Sequence, residues 1–512
     1  MLPFAQEGVV PNLKKLMDTG CWGSLMSTVP PITCPAWPTF MTGKLPGKLG
    51  VYGFNDFGRY PTRTLPINST YIKSRMFWED AGEGGRRVFV MNFPITYPVR
   101  KANGGVISGF FTPKSAKDFF YPESLAPELT GYPFTFFHER PDNSGGLETY
   151  CAKMEDDIAR LSAIALSMAR KERWDLFMLC FQEPDHVNHF LWKYLDPDFP
   201  DYATADGEKV RASVKKMFSM MDDAAGKVIE ILGPDAVIAG SDHGGRPAAE
   251  WSFNLNRLLM DEGLLKTNHG GAVRRIHKAS PKFVKRWMEK KYLDKIELVD
   301  FSETRAWCFS YRCGSAGVFI NLTGRFPGGK VSPGPEYEAL VERIMKLLDG
   351  VRHDGVKVID KTWRKEEVYS GPEVLYAPDI IFTTARNYEV PETNKFRDDV
   401  KAERLFEKEK KRSRLSGNHE PEGIYIINGK GVKSTGRSED TGIENIAPTV
   451  LQLMGLPLPE DMDGKVMAHA LEDFNPEDVR RERSAGYEAA VSETGDEDSR
   501  LIEEQLKGLG YM

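Results

Sequence analysis

Cysteine is scarce in this sequence, and long apolar runs are missing. The 512 residues include six cysteines and no Cys-x-x-Cys pair, which favours free thiols in a reducing cytosol. Only Cys308 and Cys313 are close enough in sequence to invite a bridge. No apolar run reaches the ~18 residues that cross a bilayer, and the N-terminus lacks the features of an export signal. We therefore expect a cytoplasmic protein that does not enter a membrane.

The sequence also lacks a strong excess of either charge. It has 68 basic and 74 acidic residues, a formal net charge of −6, so no long-range field favours a nucleic acid polymer as a partner. Any affinity for phosphate must then come from local metal ions or hydrogen-bond donors. With 41% hydrophobic residues, the chain is long enough to bury one large core and to carry a second module.

Short apolar runs alternate with longer amphipathic stretches through the first half of the chain, which predicts an α/β fold with a mostly parallel sheet flanked by helices. This alternation stops at about residue 246, where longer irregular segments and a Pro/Gly-rich stretch begin. The alternation of apolar runs and amphipathic stretches resumes after residue 415. We expect a catalytic core over 1–245 and 416–512, with an inserted α+β cap over 246–415. The predicted core strands are 87–92, 105–110, 176–181, 236–241 and a returning strand that begins at 423.

Acids and histidines follow the predicted strands. Asp185 comes after strand 176–181 and Asp242 after strand 236–241, with His189 four residues beyond the first acid and His243 beside the second. His419 directly precedes the returning strand. The carboxyl ends of strands in an α/β sheet meet at one edge, so these side chains are candidates for one site. Carboxylate oxygens and imidazole nitrogens suit zinc or manganese.

Each of these residues also has a structural interpretation. An Asp-x3-His pair is more often a capping acid followed by a surface histidine, and a lone histidine in the turn-forming segment SGNHEPEG is more often exposed to solvent. The remaining histidines are expected in surface or packing roles: His138, His186, His269, His277, His353 and His469.

A candidate hydroxyl lies upstream of all these acids and histidines in the sequence. Thr33 lies in PPITCPAWPTF, where the prolines predict a stiff turn that opens a helix at Ala36. A hydroxyl at a helix N-terminus is commonly an N-cap. The same N-terminus offers backbone N–H groups to a phosphate oxygen, and a hydroxyl beside a metal ion becomes a nucleophile. Acids, histidines and hydroxyl together indicate a metal-assisted hydrolase of a phosphate or related oxyanion ester.

Five ordered segments resemble the type I phosphodiesterase/nucleotide pyrophosphatase branch of the alkaline phosphatase superfamily. They are STVPPITCPAWPTFMTGKLPGKLGVYGF, QEPDHVNH, GSDHGG, SGNHEPEGIYII and IENIAPTVLQLMGLPLPEDMDG. The resemblance implies that Thr33 is the nucleophile and forms a covalent phosphothreonine between two divalent metal ions, zinc or manganese. It implies that Asp185, His189 and His419 hold one ion and that Asp242 and His243 hold the other.

The resemblance extends, with a shift of one residue, to an asparagine that binds a nonbridging phosphate oxygen, matched here by Asn55. The implied partner is a small phosphate ester, whether a diester or a monoester, and the oligomeric state stays open. Several aromatic residues near this segment could stack on a base but more often fill a core: Trp37, Phe40, Tyr52, Phe54 and Phe57.

The start of the sequence departs from the family pattern. Family members begin with an apolar strand that ends in a metal-binding aspartate, ahead of the helix that leads into PNLKKLM. This sequence starts at MLPFAQEG and has Glu7 as the only carboxylate before Asp18. Either the sequence starts downstream of that strand, or the protein has lost the strand together with a ligand of the Asp242/His243 ion. Loss of that carboxylate is expected to weaken the activation of Thr33.

Three alternatives remain open from the sequence. A sulfatase-like enzyme is suggested by Cys34 next to Pro35, although the residues that follow do not resemble the Cys-x-Pro-x-Arg pattern. A relative of cofactor-independent phosphoglycerate mutase would share SDHG-like ligands but use a serine nucleophile. The third is a non-catalytic protein that binds metal or phosphate.

Overall fold

The computed structural model describes most of the chain. The described residues are 1–60, 65–133, 141, 146–267, 280, 281, 284, 299–310, 313–326, 328–391, 404–409, 415–484, 486, 487 and 499–503. The predicted histidines His138, His269 and His277 lie outside them.

One sheet is built around the returning strand. Glu422–Gly429 runs antiparallel to Cys21–Met26 on one side and to Ala236–Gly240 on the other. Two short strands, Gly436–Arg437 and Thr441–Gly442, continue the sheet parallel to Cys21–Met26. The segment before Thr33 therefore leaves the sheet at the edge where Glu422–Gly429 enters it, directly after His419.

A second sheet carries the parallel pairing that the sequence predicts. Val88–Phe93 lies between Gly104–Ser108 and Leu176–Leu179, parallel to both, and Phe120–Tyr121 adds an antiparallel edge. All residues of the first two strands are buried, as expected for near-continuous apolar strands covered on both faces. The α/β fold class is confirmed. The parallel arrangement holds in this sheet, whereas the returning strand is antiparallel to both neighbours.

Two long amphipathic helices, Leu147–Lys171 and Ala205–Leu232, pack against each other beside the sheets. Their buried residues recur at helical spacing, for example Ile158, Leu161 and Met168. The other α-helices are Leu2–Gln6, Pro11–Thr19, Thr33–Thr42, Pro46–Leu49, Phe77–Glu83, Glu183–His186, Trp192–Leu195, Leu255–Asp261, Pro335–Asp349, Lys365–Val368 and Ile446–Leu453. A π-helical turn spans Val187–Leu191, and 3-10 turns span Ser69–Tyr71, Glu123–Leu129, Pro200–Ala203, Pro372–Tyr376, Ile443–Asn445, Ala468–Ala470 and Pro476–Asp478.

The segment predicted as an insertion forms α+β structure with its own apolar cluster. Its antiparallel sheet has the order Ile359–Arg364, Ile380–Thr384, Ser315–Ile320 and Ala306–Ser310, and helix Pro335–Asp349 packs on it. Smaller pairs complete the described strands: Gly244–Pro247 with Gly417–Glu420, Trp251–Phe253 with Tyr388–Glu389 and Phe406–Lys408, Arg352–His353 with Val356–Lys357, and Leu458–Pro459 with Arg481–Glu482.

A buried charge cluster joins the elements of this insertion. The carboxylate of Asp379 is fully buried and accepts hydrogen bonds from Lys365 at 3.0 Å, from the Tyr337 hydroxyl at 2.9 Å and from Arg325. It also accepts from the backbone N–H of Ile320 at 2.7 Å. Burial alone would raise the pKa of Asp379, but Arg325 and Lys365 hold it below its usual value. The carboxylate thus links one strand, two helices and a turn.

All six cysteines are free and buried. Cys308 and Cys313 therefore do not form the one bridge that their spacing allowed. Among the helices that the structure describes, none combines the length and the apolar character needed to span a membrane.

Candidate metal centre

The pair Asp185 and His189 sits on the turn that follows strand Leu176–Leu179. Helix Glu183–His186 continues into the π-helical turn Val187–Leu191, so residues four apart share one face. The His189 Nε2 atom lies 3.3 Å from the Asp185 Oδ1 atom. His189 is only 3% exposed, which excludes the interpretation as a surface histidine.

His419 reaches the same place through strand pairing. The segment predicted as an exposed loop is a strand, Gly417–Glu420, antiparallel to Gly244–Pro247, and His419 is buried. Sequence reasoning missed this because the partner strand is far away in the chain. A Cβ atom on Gly244 would lie 2.1 Å from the Glu422 carbonyl oxygen. Gly244 therefore allows the close approach of the returning chain.

The pairing places three imidazoles around one carboxylate. The Asp185 Oδ1 atom lies 3.6 Å from His419 Nε2 and 3.9 Å from His243 Nε2. The two nitrogens His189 Nε2 and His419 Nε2 are 2.9 Å apart. Ligand atoms of Asp185, His243 and His419 all lie within 4.8 Å of one another, close enough to hold one ion. Asp242 completes the group, with its Oδ2 atom 3.3 Å from His243 Nε2.

Backbone carbonyls fix the orientation of two of these rings. His189 Nδ1 lies 3.2 Å from the Gly417 carbonyl oxygen, and His243 Nδ1 lies 3.0 Å from that of Gly244. A carbonyl oxygen only accepts, so each Nδ1 carries a proton and directs the Nε2 atom toward the carboxylates. This is the arrangement of metal-binding histidines, whose second nitrogen donates to a carbonyl or carboxylate. The sequence does not indicate these carbonyl contacts. The Gly417 carbonyl reaches His189 only because strand Gly417–Glu420 pairs with a distant part of the chain.

The buried carboxylates and imidazoles of the cluster shift one another's pKa values. Burial would raise the pKa of Asp185, yet His189 and His419 hold it well below its usual range. Burial would lower the pKa of His189, but the Asp185 carboxylate raises it overall. Burial and the neighbouring His243 lower the pKa of His419 to about 3, so that ring stays neutral, as a metal ligand must be. The pKa of Asp242 is raised by burial despite His243.

Thr33 is buried and is the first residue of helix Thr33–Thr42, three residues earlier than the predicted start at Ala36. The N-cap position belongs to Ile32, so the Thr33 hydroxyl is not an N-cap. In the described part of the chain, no hydrogen bond joins Thr33 to the cluster. The segment before Thr33 is linked to the cluster through the backbone. The N–H group of Ser27 donates a hydrogen bond to the carbonyl of Pro421, two residues beyond His419.

Asn55 lies near Pro30, in the segment that precedes Thr33. It is buried, and it lines a cavity together with Pro30 and Tyr52 from the core and Phe309 and Tyr369 from the insertion. Of the aromatic residues considered as base-stacking candidates, Trp37, Phe40, Phe54 and Phe57 are buried in apolar clusters. They pack there, and Phe57, like Tyr52, also lines the cavity.

The remaining described histidines and Glu7 make other contacts. His186 Nδ1 contacts the Tyr150 hydroxyl at 3.3 Å, His353 stacks on Phe406, and His469 Nε2 contacts the Tyr425 hydroxyl at 2.9 Å. Glu7 pairs with Lys215 at the surface. None of these contacts involves a predicted metal ligand.

A family model for type I phosphodiesterase / nucleotide pyrophosphatase matches residues 3–419. The chain belongs to this family. It is accordingly a metal-dependent phosphoester hydrolase, and the match favours this branch over the sulfatase-like and mutase-like alternatives. A comparison with curated protein sequences gives no match.

Solved structures of similar fold support the architecture. Phosphonoacetate hydrolase from Sinorhizobium meliloti is 14% identical with a TM-score of 0.51, over 83% of this chain and 86% of that one. Murine ectonucleotide pyrophosphatase / phosphodiesterase 5 is 13% identical with a TM-score of 0.50, over 89% of this chain and 92% of that one. At these identities the similarity concerns the fold.

Proposed function

We propose that this protein hydrolyses a small phosphate ester with Thr33 as nucleophile and with divalent metal ions held by the cluster. The observation that carries the proposal is the orientation of His189 and His243. Both rings donate from Nδ1 to a carbonyl and direct Nε2 toward Asp185 or Asp242. A divalent cation bound between these nitrogens and the carboxylates would be held by both.

The donor set fits zinc, with manganese as the alternative, because imidazole nitrogen and carboxylate oxygen are ligands of both. In the proposed assignment Asp185, His189 and His419 hold one ion, and Asp242 and His243 hold the other. Bound ions would supply Lewis-acid stabilisation of the charge that develops on phosphate.

Protein residues carry out nucleophilic attack, phosphate binding and substrate contact. The Thr33 oxygen attacks phosphorus, loses its proton, and the ester oxygen leaves with its substituent, which gives a phosphothreonine that water then hydrolyses. Asn55 binds a nonbridging phosphate oxygen. The insertion 246–415 covers the core 1–245 and 416–512 as a lid, and its aromatic residues at the Asn55 cavity contact the substrate's organic part. A cytoplasmic location is part of the proposal, supported by the six free thiols.

Thr33 variants test the mechanism. We expect Thr33→Ala to lose turnover of bis-p-nitrophenyl phosphate and p-nitrophenyl phosphate by about 10³-fold or more. Thr33→Ser, which keeps the hydroxyl, is expected to retain part of the activity. Thr39→Ala, in the same helix and equally buried, is the matched control and should leave turnover nearly unchanged.

Two further readouts separate the nucleophile from a structural role. Bound zinc should be equal in wild type and Thr33→Ala, and mass spectrometry of acid-quenched wild type should show phosphate on the peptide that contains Thr33. Retained turnover in Thr33→Ala, or phosphate on another residue, would refute the assignment.

A further inference from the structure

Arg246 is a buried cation without a hydrogen-bond partner. It lies in strand Gly244–Pro247, three residues after His243, and is only 7% exposed. Among the residues that the structure describes, none accepts a hydrogen bond from its guanidinium group, and the Nε atom is completely buried in this state. Burial of a cation without a partner is unfavourable. The guanidinium group therefore has the character of a binding site for an anion that comes from outside the protein.

The carboxylates near Arg246 are engaged elsewhere. In the described part of the chain its one ion pair is with Glu420, whose Oε2 atom lies 4.0 Å from Arg246 Nε, beyond hydrogen-bond distance. The same Oε2 atom accepts a hydrogen bond from Arg386 at 3.2 Å. The buried carboxylate of Glu389 accepts a hydrogen bond from the Asn418 amide at 2.9 Å. The donors of Arg246 are thus left for a ligand.

The strand pair directs Arg246 away from the metal ligands and toward the insertion. Arg246 lies opposite Asn418, the neighbour of His419, and neighbouring side chains point to opposite faces of a strand. The guanidinium group packs against Gly314, where a Cβ atom would lie 2.1 Å from Nη2. At about 3.3 Å per residue, the Cα atoms of His243 and Arg246 are roughly 10 Å apart. An anion at Arg246 is therefore separate from a phosphate at the metal ligands, but one small molecule can reach both.

The backbone that contacts Arg246 continues into the wall of the Asn55 cavity. Strand Ser315–Ile320 begins directly after Gly314, and its first residue, Ser315, lines that cavity. Arg246 therefore borders the region that we assign to the organic part of the substrate.

We propose that Arg246 binds a second anionic group of the substrate, a carboxylate or a phosphate carried by the organic part of the ester. This inference rests on the proposed function, because it takes the reacting phosphate to lie at the metal ligands. A planar guanidinium group binds either anion through two parallel N–H donors. The substrate class is then a phosphate ester with two separate negative groups, and Arg246 selects it over esters whose organic part is uncharged.

Binding of benzylphosphonates to the zinc-loaded, full-length protein tests this role. The probes contain no ester bond and differ only at the para position, which carries a carboxylate, a phosphonomethyl group in place of a phosphate, or a neutral carboxamide. Isothermal titration calorimetry measures the dissociation constants. We expect wild type to bind at least one charged probe about tenfold or more tightly than the carboxamide. The two charged probes show which anion is preferred.

Variants of two arginines separate ligand binding from a structural role. Arg246→Gln should bind the three probes within about threefold of one another, and Arg246→Lys should keep part of the preference, because an ammonium group lacks the planar fork. Arg386→Gln removes the other arginine at Glu420, at a side chain that is 79% exposed. This matched control should keep the full preference. In urea denaturation Arg246→Gln should be at least as stable as wild type, because the charge that it removes has no partner.

Four results would overturn the inference. They are equal binding of charged and neutral probes by wild type, a preference that persists in Arg246→Gln, a preference that Arg386→Gln loses to the same extent, and a marked loss of stability in Arg246→Gln. Turnover of p-nitrophenyl phosphate by wild type separates this inference from the proposed function. Turnover without a preference for charged probes would refute the role of Arg246 alone, whereas a preference that depends on Arg246 without turnover would refute the proposed function alone.

Discussion

Glu183 is the first residue of helix Glu183–His186, two residues before Asp185. It is 1% exposed, and burial raises its pKa from 4.5 to about 8. A carboxyl whose pKa is higher in the fold than in the unfolded chain stabilises the fold at low pH. That contribution is lost as the pH rises from the unfolded to the folded pKa.

The magnitude follows from the two pKa values. One pKa unit corresponds to about 1.4 kcal/mol, so ionisation of Glu183 costs the fold up to about 5 kcal/mol above pH 8. Glu183→Gln has nearly the same size and cannot ionise. We expect its free energy of unfolding to be similar to wild type at about pH 4.5 and to exceed it by about 3 to 5 kcal/mol near pH 9.

Urea denaturation in a chelator, followed by tryptophan fluorescence across this pH range, measures the difference. The chelator removes bound cations, which would themselves lower the pKa of Glu183. Glu148→Gln, at an exposed position, is the matched control and should track wild type at all pH values. A Glu183→Gln difference that stays constant with pH, or that decreases as pH rises, would refute the reasoning.

Three other perturbations have defined outcomes. Asp379→Asn leaves the buried cations Arg325 and Lys365 without their carboxylate, and the free energy of unfolding from urea denaturation should fall by about 3 to 5 kcal/mol. Asp222→Ala removes the carboxylate that accepts two backbone N–H groups at the start of the second helix, at a cost of about 1 to 3 kcal/mol by the same assay. Zinc at about 100 times its dissociation constant should stabilise the chelated protein by about 2.7 kcal/mol in thermal denaturation. Asp185→Asn should lose most of that stabilisation, and an equal zinc response in this variant would contradict the assignment.

Much of the fold could be predicted because local patterns carried it. The apolar runs predicted the three parallel strands of the second sheet within one or two residues. The antiparallel direction of Glu422–Gly429 could not be predicted. It depends on where the chain returns after residues 246–415, and strand direction leaves no trace in the apolar run itself.

The site residues also divide into those that local sequence predicts and those that depend on pairing with distant parts of the chain. Asp185 and His189 could be paired from sequence because four residues along a helical turn bring side chains together. His419 could be suspected from its position but was expected in a loop, because only its pairing with Gly245 shows that it lies in a strand. The carbonyls that orient the imidazole rings could not be predicted from the sequence either, because strand pairing brings one of them to its ring. The start of helix Thr33–Thr42 was misplaced, because Pro35 is tolerated in the first turn of a helix.

The central claim is that the three histidines and two aspartates bind divalent metal next to Thr33. Anomalous diffraction from crystals grown with zinc, collected above and below the zinc absorption edge, tests it most directly. We predict one anomalous peak beside Asp185, His189 and His419 and a second beside Asp242 and His243, within reach of the Thr33 helix. A fully occupied zinc ion elsewhere on the chain, with no peak among these side chains, would contradict the account.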